Sequence, residues 1–156
     1  MNIEEANRIL RENISYTDEI IREAIEVGAD INALNNFGEP ISKVILSNYA
    51  IDSEIVELIF SANIKIDIEN NDGETALYEA LSNKDWRKAN FLIKKDANID
   101  AKNKYNETLL TTFLKICIGD YSPVHYLIEN AANVNIINGK GESTLMIAAR
   151  KNDFDI

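Results

Sequence analysis

The sequence predicts an all-α solenoid of helix-turn-helix units joined by short β-hairpin fingers. The segment at residues 28–39 recurs at 63–74, 96–107 and 131–142. The fourth position of every copy is β-branched, and the steps between these residues are 35, 33 and 35 positions: Ile31, Ile66, Ile99 and Val134. Self-similarity at this period indicates a solenoid, in which each unit packs mainly on its neighbours.

The start of each copy is predicted to end a helix at a positive φ angle. Glycine adopts this conformation freely and Asn or Asp tolerates it, which suits Gly28, Asn63 and Asp96. Ala131 does not suit it, so we expect local strain or a shifted helix cap there. A short polar side chain follows each β-branched residue and is expected to bond the backbone of a turn: Asn32, Asp67, Asp100 and Asn135.

A second turn in each copy runs from an asparagine to a residue that tolerates positive φ. These turns cover residues 35–38, 70–73, 103–106 and 138–141. Every turn is followed by a glutamate and then by a residue that suits a helix start. The glutamates are Glu39, Glu74, Glu107 and Glu142. Because they lie one repeat apart, we interpret them as helix-start charges rather than as a metal cluster.

The helices are predicted in pairs along the chain. The first unit has helices over 3–12 and from Thr17, which caps the second. The second unit has helices near 40–48 and 53–62, with Pro40 at the first helical position and Ser53 or Asp52 as a cap. The third has helices near 75–82 and 85–95. The fourth has helices near 108–116 and 122–130, with Ser122 as cap and Pro123 at the first helical position. The fifth begins one helix at Ser143 and another at 153.

This pattern resembles the ankyrin repeat. Gly-Ala-Asp-Ile-Asn-Ala at 28–33 is similar to the finger motif of that family, and Asp-Gly-Glu-Thr-Ala-Leu-Tyr-Glu-Ala at 72–80 is similar to its helix-opening motif. The resemblance implies one ankyrin-repeat domain with units at about 1–35 (an N-terminal cap), 36–70, 71–103, 104–138 and 139–156 (incomplete). Two motif positions depart from the family. Its proline is replaced by Ile41, Ala76, Leu109 and Thr144, and its histidine by Lys43, Tyr78, Thr111 and Met146. That histidine usually braces the finger, so we expect less rigid fingers.

Composition and charge limit the partners. The net charge of −10 argues against nucleic acid, which is bound by neutralising phosphates. No run approaches the roughly 18 apolar residues of a membrane span. The N-terminus lacks the features of a signal peptide, and one cysteine cannot form an internal disulfide, so we expect a cytoplasmic protein.

The charge is unevenly distributed along the chain. Residues 1–75 carry 16 acidic and 5 basic side chains, net −11, whereas residues 76–156 carry 10 and 11, net +1. In a solenoid, sequence halves are spatial halves, so the N-terminal end should be acidic. Solubility is one explanation, and a docking end for a basic partner is the other.

The sequence offers little for catalysis, and we predict a protein that is not an enzyme and needs no cofactor or metal. Cys117 is the only cysteine and His125 the only histidine, which excludes the usual zinc-binding motifs because these need several such ligands. A nucleophilic pair would need a third orienting group, and Cys117 lies in an apolar stretch typical of a buried residue. The phosphate-binding glycine motifs are absent.

The resemblance implies a binding surface formed by the finger tips and the inner helix faces. It would bind a partner protein, which the sequence does not identify. Mapped onto this sequence, the surface comprises Asn36, Phe37, Glu39, Asn71, Asp72, Glu74, Ser82, Asn83, Lys104, Tyr105, Glu107, Lys140, Glu142, Arg150 and Lys151. Phe37 and Tyr105 are either contact residues of the kind that dominate interfaces or rings that lie flat on their own repeats. Tyr78 either braces a finger or faces the groove.

Two irregularities add further candidates. The turns around 47–51 and 115–119 are two residues longer than the turn of the third unit, which places Tyr49 and Ile118 either towards a ligand or between units. The fifth unit leaves Leu145, Ile147 and Ala148 partly uncovered. Either the natural chain continues or another chain covers this edge, and we expect weak end-to-end self-association.

The alternative function is a structural fragment whose binding or catalytic part lies beyond residue 156.

Overall fold

Nine α-helices account for most of the residues that the computed structural model describes, namely 1–12, 16–48 and 53–151. In chain order they are α1 (Ile3–Glu12), α2 (Asp18–Glu26), α3 (Ile41–Asn48), α4 (Glu54–Ser61), α5 (Ala76–Ser82), α6 (Trp86–Lys94), α7 (Leu109–Ile116), α8 (Ser122–Glu129) and α9 (Thr144–Arg150). The all-α prediction is confirmed. Tyr49, Asp52 and the helix expected at 153 lie outside the described residues.

The fingers are tight loops rather than hairpins with extended strands. We number them finger 1 (35–40), finger 2 (70–75), finger 3 (103–108) and finger 4 (138–143). Single antiparallel bridges close three of them, pairing Leu34 with Pro40, Lys102 with Thr108, and Ile137 with Ser143. In every finger the asparagine N–H donates to the glutamate carbonyl at 2.8–3.1 Å, so one short loop returns the chain to the next helix.

Side-chain caps begin most of these helices. Thr17, Ser53, Thr75, Thr108 and Ser143 each accept a hydrogen bond from the N–H three residues ahead. Two predicted helix starts were displaced by one residue. Pro40 precedes α3 instead of occupying its first position, and Ser122 lies inside α8. The N–H of Ser122 donates to Asp120 Oδ1 at 2.9 Å, so Asp120 satisfies one N–H group at this helix end.

The helix ends explain the positive φ angles. Gly28, Asn63 and Asp96 have φ values of 77°, 57° and 65°. Ala131 also has φ 65°, and its N–H donates to the Ile128 carbonyl at 3.0 Å, as Asp96 does to Ile93. The helix cap at Ala131 is therefore not shifted. Of the two expected outcomes, a shifted cap or local strain, the structure shows an alanine held at a strained positive φ angle.

A ladder of side-chain bonds joins successive units. Asn32, Asp67 and Asp100 each accept, through Oδ1, a hydrogen bond from a backbone N–H of the next unit, at Lys65, Asn98 and Asn133 respectively (2.7–2.9 Å). The expectation that these side chains bond the backbone of a turn did not specify the unit, and the backbone that they bond belongs to the next one. Asn7 in α1 bonds the N–H of Asp30 in the same manner at 2.9 Å, so α1 takes the place of a preceding unit.

The core is continuous along the stack. One buried cluster includes Leu10, Ile21 and Ile45 of the first two units, and the other extends from Leu46 to Ile147. Ile64 packs against both clusters and joins them. The finger tips also stack closely. A Cβ on Gly73, whose φ is 77°, would lie 2.6 Å from the backbone nitrogen of Lys104 in the next finger, so this position requires glycine.

Candidate functional site

Two adjoining cavities form a groove between the fingers and the first helix of each unit. The first, which we call the Tyr105 cavity, has a volume of about 290 Å³ and lies between fingers 2 and 3 and helices α5 and α7. The second, the Lys43 cavity, has a volume of about 500 Å³ and lies between α3 and α5. Both are lined by Glu74 and Tyr78, and together they define the finger-side groove.

Tyr78 separates the two cavities. Its ring stacks on Phe113 of the next unit, with centroids 5.5 Å apart and planes at 28°, and Phe113 is buried. Burial, followed by the negative charge of Glu74, raises the pKa of the Tyr78 hydroxyl. The tyrosine therefore packs between units with one side and lines the groove with the other.

Lys43 joins the second and third units at the floor of the groove. It is only 8% exposed, and its Nζ lies 2.8 Å from Glu39 Oε2 and 3.3 Å from Glu79 Oε2. Burial alone acts to lower the pKa of Lys43. The hydrogen bonds and charges of the two glutamates together outweigh it, so the pKa is raised above its usual value. Lys43 stands at the position where the helix-opening motif of the family has its histidine. Its bond to Glu39 holds finger 1.

The finger asparagines supply a brace that the sequence analysis missed. In each finger the asparagine Oδ1 accepts two backbone N–H groups of its own turn at 2.9–3.1 Å. In finger 2, Asn70 Nδ2 donates to Glu74 Oε2 at 2.9 Å and to Glu39 Oε1 of finger 1 at 3.1 Å. The expectation of less rigid fingers overlooked these bonds. The recurrence of asparagine at all four positions was the signal.

Glu107 and Glu142 each pair with a basic side chain of their own unit, and one longer contact crosses between the two units. Lys115 bonds Glu107 and lies 3.9 Å from Glu142, which also pairs with Arg150. A hydrogen bond from Asn138, and then the contact with Arg150, lower the pKa of Glu142. Among the described residues, no group of three or more His, Cys, Asp or Glu side chains could hold a metal ion.

About half of the predicted surface lies in the finger-side groove. Glu39, Asp72, Glu74, Tyr78, Ser82, Asn83, Tyr105 and Glu107 line its two cavities. The others lie elsewhere. Asn36 lines a separate depression beside α1, Asn71 is exposed in finger 2, and Lys140, Arg150 and Lys151 belong to the fifth unit. Tyr49 lies outside the described residues.

The two finger-tip aromatics are largely exposed. Phe37 and Tyr105 are 61% and 64% exposed. Lys104 Nζ lies 5.3 Å from the centre of the Tyr105 ring and 2.5 Å from Asp72 Oδ1. Ile118 is 91% exposed, which contradicts packing between units.

Cys117 and His125 differ in their exposure. Burial, as the largest effect, raises the pKa of the half-buried Cys117 thiol, which lowers its thiolate fraction. His125 is exposed on α8. None of the helices in the described segments is long and apolar enough to cross a membrane.

Comparison with known proteins agrees with this architecture. The family model described as Ankyrin repeat matches residues 72–104, which hold most of finger 2 and all of α5 and α6. A search of curated proteins found no match. Ankyrin repeats are generally protein–protein interaction modules without enzymatic activity. The matched unit is an ankyrin repeat, and its finger and helix pair recur along the described residues, which therefore form an all-α, ankyrin-like solenoid.

Proposed function

We propose that this protein binds a partner protein through the finger-side groove and the exposed aromatics at the finger tips. The observation that supports this most strongly is the continuity of the groove, because Glu74 and Tyr78 line both cavities. Phe37 and Tyr105 add large exposed rings at fingers 1 and 3. Aromatic side chains dominate the binding energy of protein interfaces, and a concave surface lets a partner bury them.

The test compares three forms of the protein as bait in a cell lysate. They are wild type, the groove variant Phe37→Ala/Tyr105→Ala, and the control variant Ile116→Ala/Ile128→Ala, which removes exposed apolar side chains from α7 and α8. A partner retained by wild type and control but lost by the groove variant is expected. A photo-crosslinking residue at position 37 or 105 should label that partner, whereas one at position 128 should not. A partner retained equally by all three forms would place the interface elsewhere.

A second interaction is self-association through α9. Leu145 and Met146 are 77% and 62% exposed there, and Ile137, which directly precedes finger 4, is 63% exposed. Adjacent exposed apolar side chains of this kind favour association. We expect the sedimentation-velocity mass of wild type to rise with concentration, and that of Leu145→Lys/Met146→Lys to stay monomeric. Ile118→Lys, which changes an isolated exposed residue, should behave as wild type. A single monomeric mass of wild type over a wide concentration range would contradict the proposal.

A further inference from the structure

The Tyr105 cavity has a chemical composition that selects the side chain it can accept. Asp72, Glu74 and Glu107 are the acidic residues of its lining, and Tyr78, Tyr105 and Leu109 are the largest aromatic or apolar ones. None of its lining residues is a lysine, arginine or histidine. A cavity with aromatic walls and negative charge complements a cationic side chain and repels an anionic one.

The carboxylates differ in how far their charge is already balanced. Glu107 pairs with Lys115, and Asp72 pairs with Lys104. The Glu74 side chain accepts a hydrogen bond from the neutral amide of Asn70, and no described lysine or arginine forms an ion pair with it. Glu74 therefore contributes the least compensated negative charge, at the point where the two cavities meet.

The protein itself provides an example of the contact at the rim. Lys104 Nζ lies over the Tyr105 ring at 5.3 Å while it bonds Asp72. A cation at this edge thus meets an aromatic face and a carboxylate together. The inner wall offers the same two kinds of group, in Tyr78 and Glu74. Tyr78 is held there by its stacking on Phe113 at 5.5 Å, so that wall is formed before a ligand arrives.

We propose that the Tyr105 cavity binds an arginine side chain from a basic segment of the partner protein. The methylene stem would pack against Tyr78 and Leu109, and the guanidinium would reach the carboxylate of Glu74. Arginine fits better than lysine because its planar group stacks on aromatic rings and donates two parallel hydrogen bonds to one carboxylate. The net charge of −10 would favour the approach of such a segment. This inference rests on the proposed function and names the chemistry of the partner.

The test uses a display library of random peptides selected on immobilised wild-type protein. We expect the enriched peptides to share an arginine. One of them is then synthesised with arginine, lysine or citrulline at that position, citrulline being a neutral residue of nearly the same shape. Replacement by citrulline should weaken binding about tenfold to hundredfold, as the loss of a charge-assisted contact implies, and lysine should fall between the two.

The protein variants are Glu74→Gln and, as a control, Glu69→Gln, which changes an exposed carboxylate outside the groove. Glutamine keeps an oxygen for Asn70, and a urea unfolding curve of each variant checks that the fold is retained. Glu74→Gln should lower the affinity for the arginine peptide as much as replacing that arginine by citrulline does. It should leave the affinity for the citrulline peptide unchanged. Glu69→Gln should leave both affinities unchanged.

The possible failures are distinguishable. If no peptide is enriched, if the enriched peptides lack a basic residue, or if Glu74→Gln or citrulline has no effect, the arginine inference is wrong. When such peptides still lose binding in Phe37→Ala/Tyr105→Ala, the groove remains the interface and the proposed function stands. Peptides that bind this double variant as well as wild type would overturn both proposals.

Discussion

Asn70 of finger 2 donates a hydrogen bond to Glu39 of finger 1 across 3.1 Å, so one asparagine fixes its own turn and the turn of the preceding unit. Its Oδ1 accepts the N–H groups of Asp72 and Glu74, and its Nδ2 also bonds the Glu74 side chain. The residue is 9% exposed, so water cannot readily replace these partners.

Asn70→Ala is therefore expected to destabilise the protein by about 1–2 kcal/mol, because it leaves two part-buried turn N–H groups without their acceptor. The urea midpoint measures this loss. Asn36→Ala changes an exposed asparagine in finger 1 and should cost less than about 0.5 kcal/mol. Asn70→Asp keeps the acceptor but brings a third carboxylate towards Glu39 and Glu74. Because acid neutralises these carboxylates, its loss of stability relative to wild type should be smaller at acidic pH. Equal midpoints for Asn70→Ala and wild type would rule out this brace.

Ala131→Gly is expected to stabilise the protein by about 0.5–1 kcal/mol. Alanine pays a steric cost at φ 65°, which glycine avoids, and the greater freedom of glycine in the unfolded chain offsets part of the gain. Thermal or urea unfolding measures the difference. The neighbouring Ala132→Gly is the control. Ala132 is buried and has no positive φ angle, so glycine there should destabilise. A lower midpoint for Ala131→Gly would show that the αL conformation at this position costs little.

The fold could be predicted from local chemistry, whereas the contacts between units could not. Repeated turn residues place every described helix to within about one residue, because Gly28 or Thr75 acts on its own backbone. Asn32 and Asp67 looked like residues of local turns, yet each bonds the backbone of the next unit. One sequence position cannot reveal which of two nearby backbones its side chain reaches. The groove depends on such pairings between units. Part of its lining could therefore be predicted from the sequence, whereas the place of Lys43 in the groove and the position of Glu74 between the two cavities could not.

Lys43→Met should destabilise the protein by about 1–2 kcal/mol. It leaves Glu39 and Glu79 facing each other without the cation that links them, and their partial exposure to water moderates the repulsion. The urea midpoint again reports the change. Adding Glu79→Gln to Lys43→Met removes one of the opposed charges and should recover part of the loss. A double variant that is less stable than Lys43→Met would contradict this account of the pair.

Acid should destabilise the C-terminal units through Glu142. Its pKa in the folded protein is lowered by the Asn138 hydrogen bond and by Arg150, below the ordinary value of 4.5. A carboxylate with a depressed pKa contributes stability above the unfolded-state pKa, and this is lost as the pH falls through the folded-state value. Lys84 and Ser122 lower the pKa of Asp120 and add to the same effect. The unfolding free energy should therefore decline below a pH of about 4.5.

Glu142→Gln identifies the contribution of this carboxylate, because the variant lacks the group that titrates. Its unfolding free energy should be lower than that of wild type at neutral pH, and the two should converge as the pH falls through the folded-state pKa of Glu142. Glu129→Gln, which changes an exposed carboxylate on α8, should follow the wild-type pH dependence throughout. A carbon-detected NMR titration of the glutamate side chains gives the pKa of Glu142 directly. A value at or above 4.5 would remove the basis for the expected acid sensitivity.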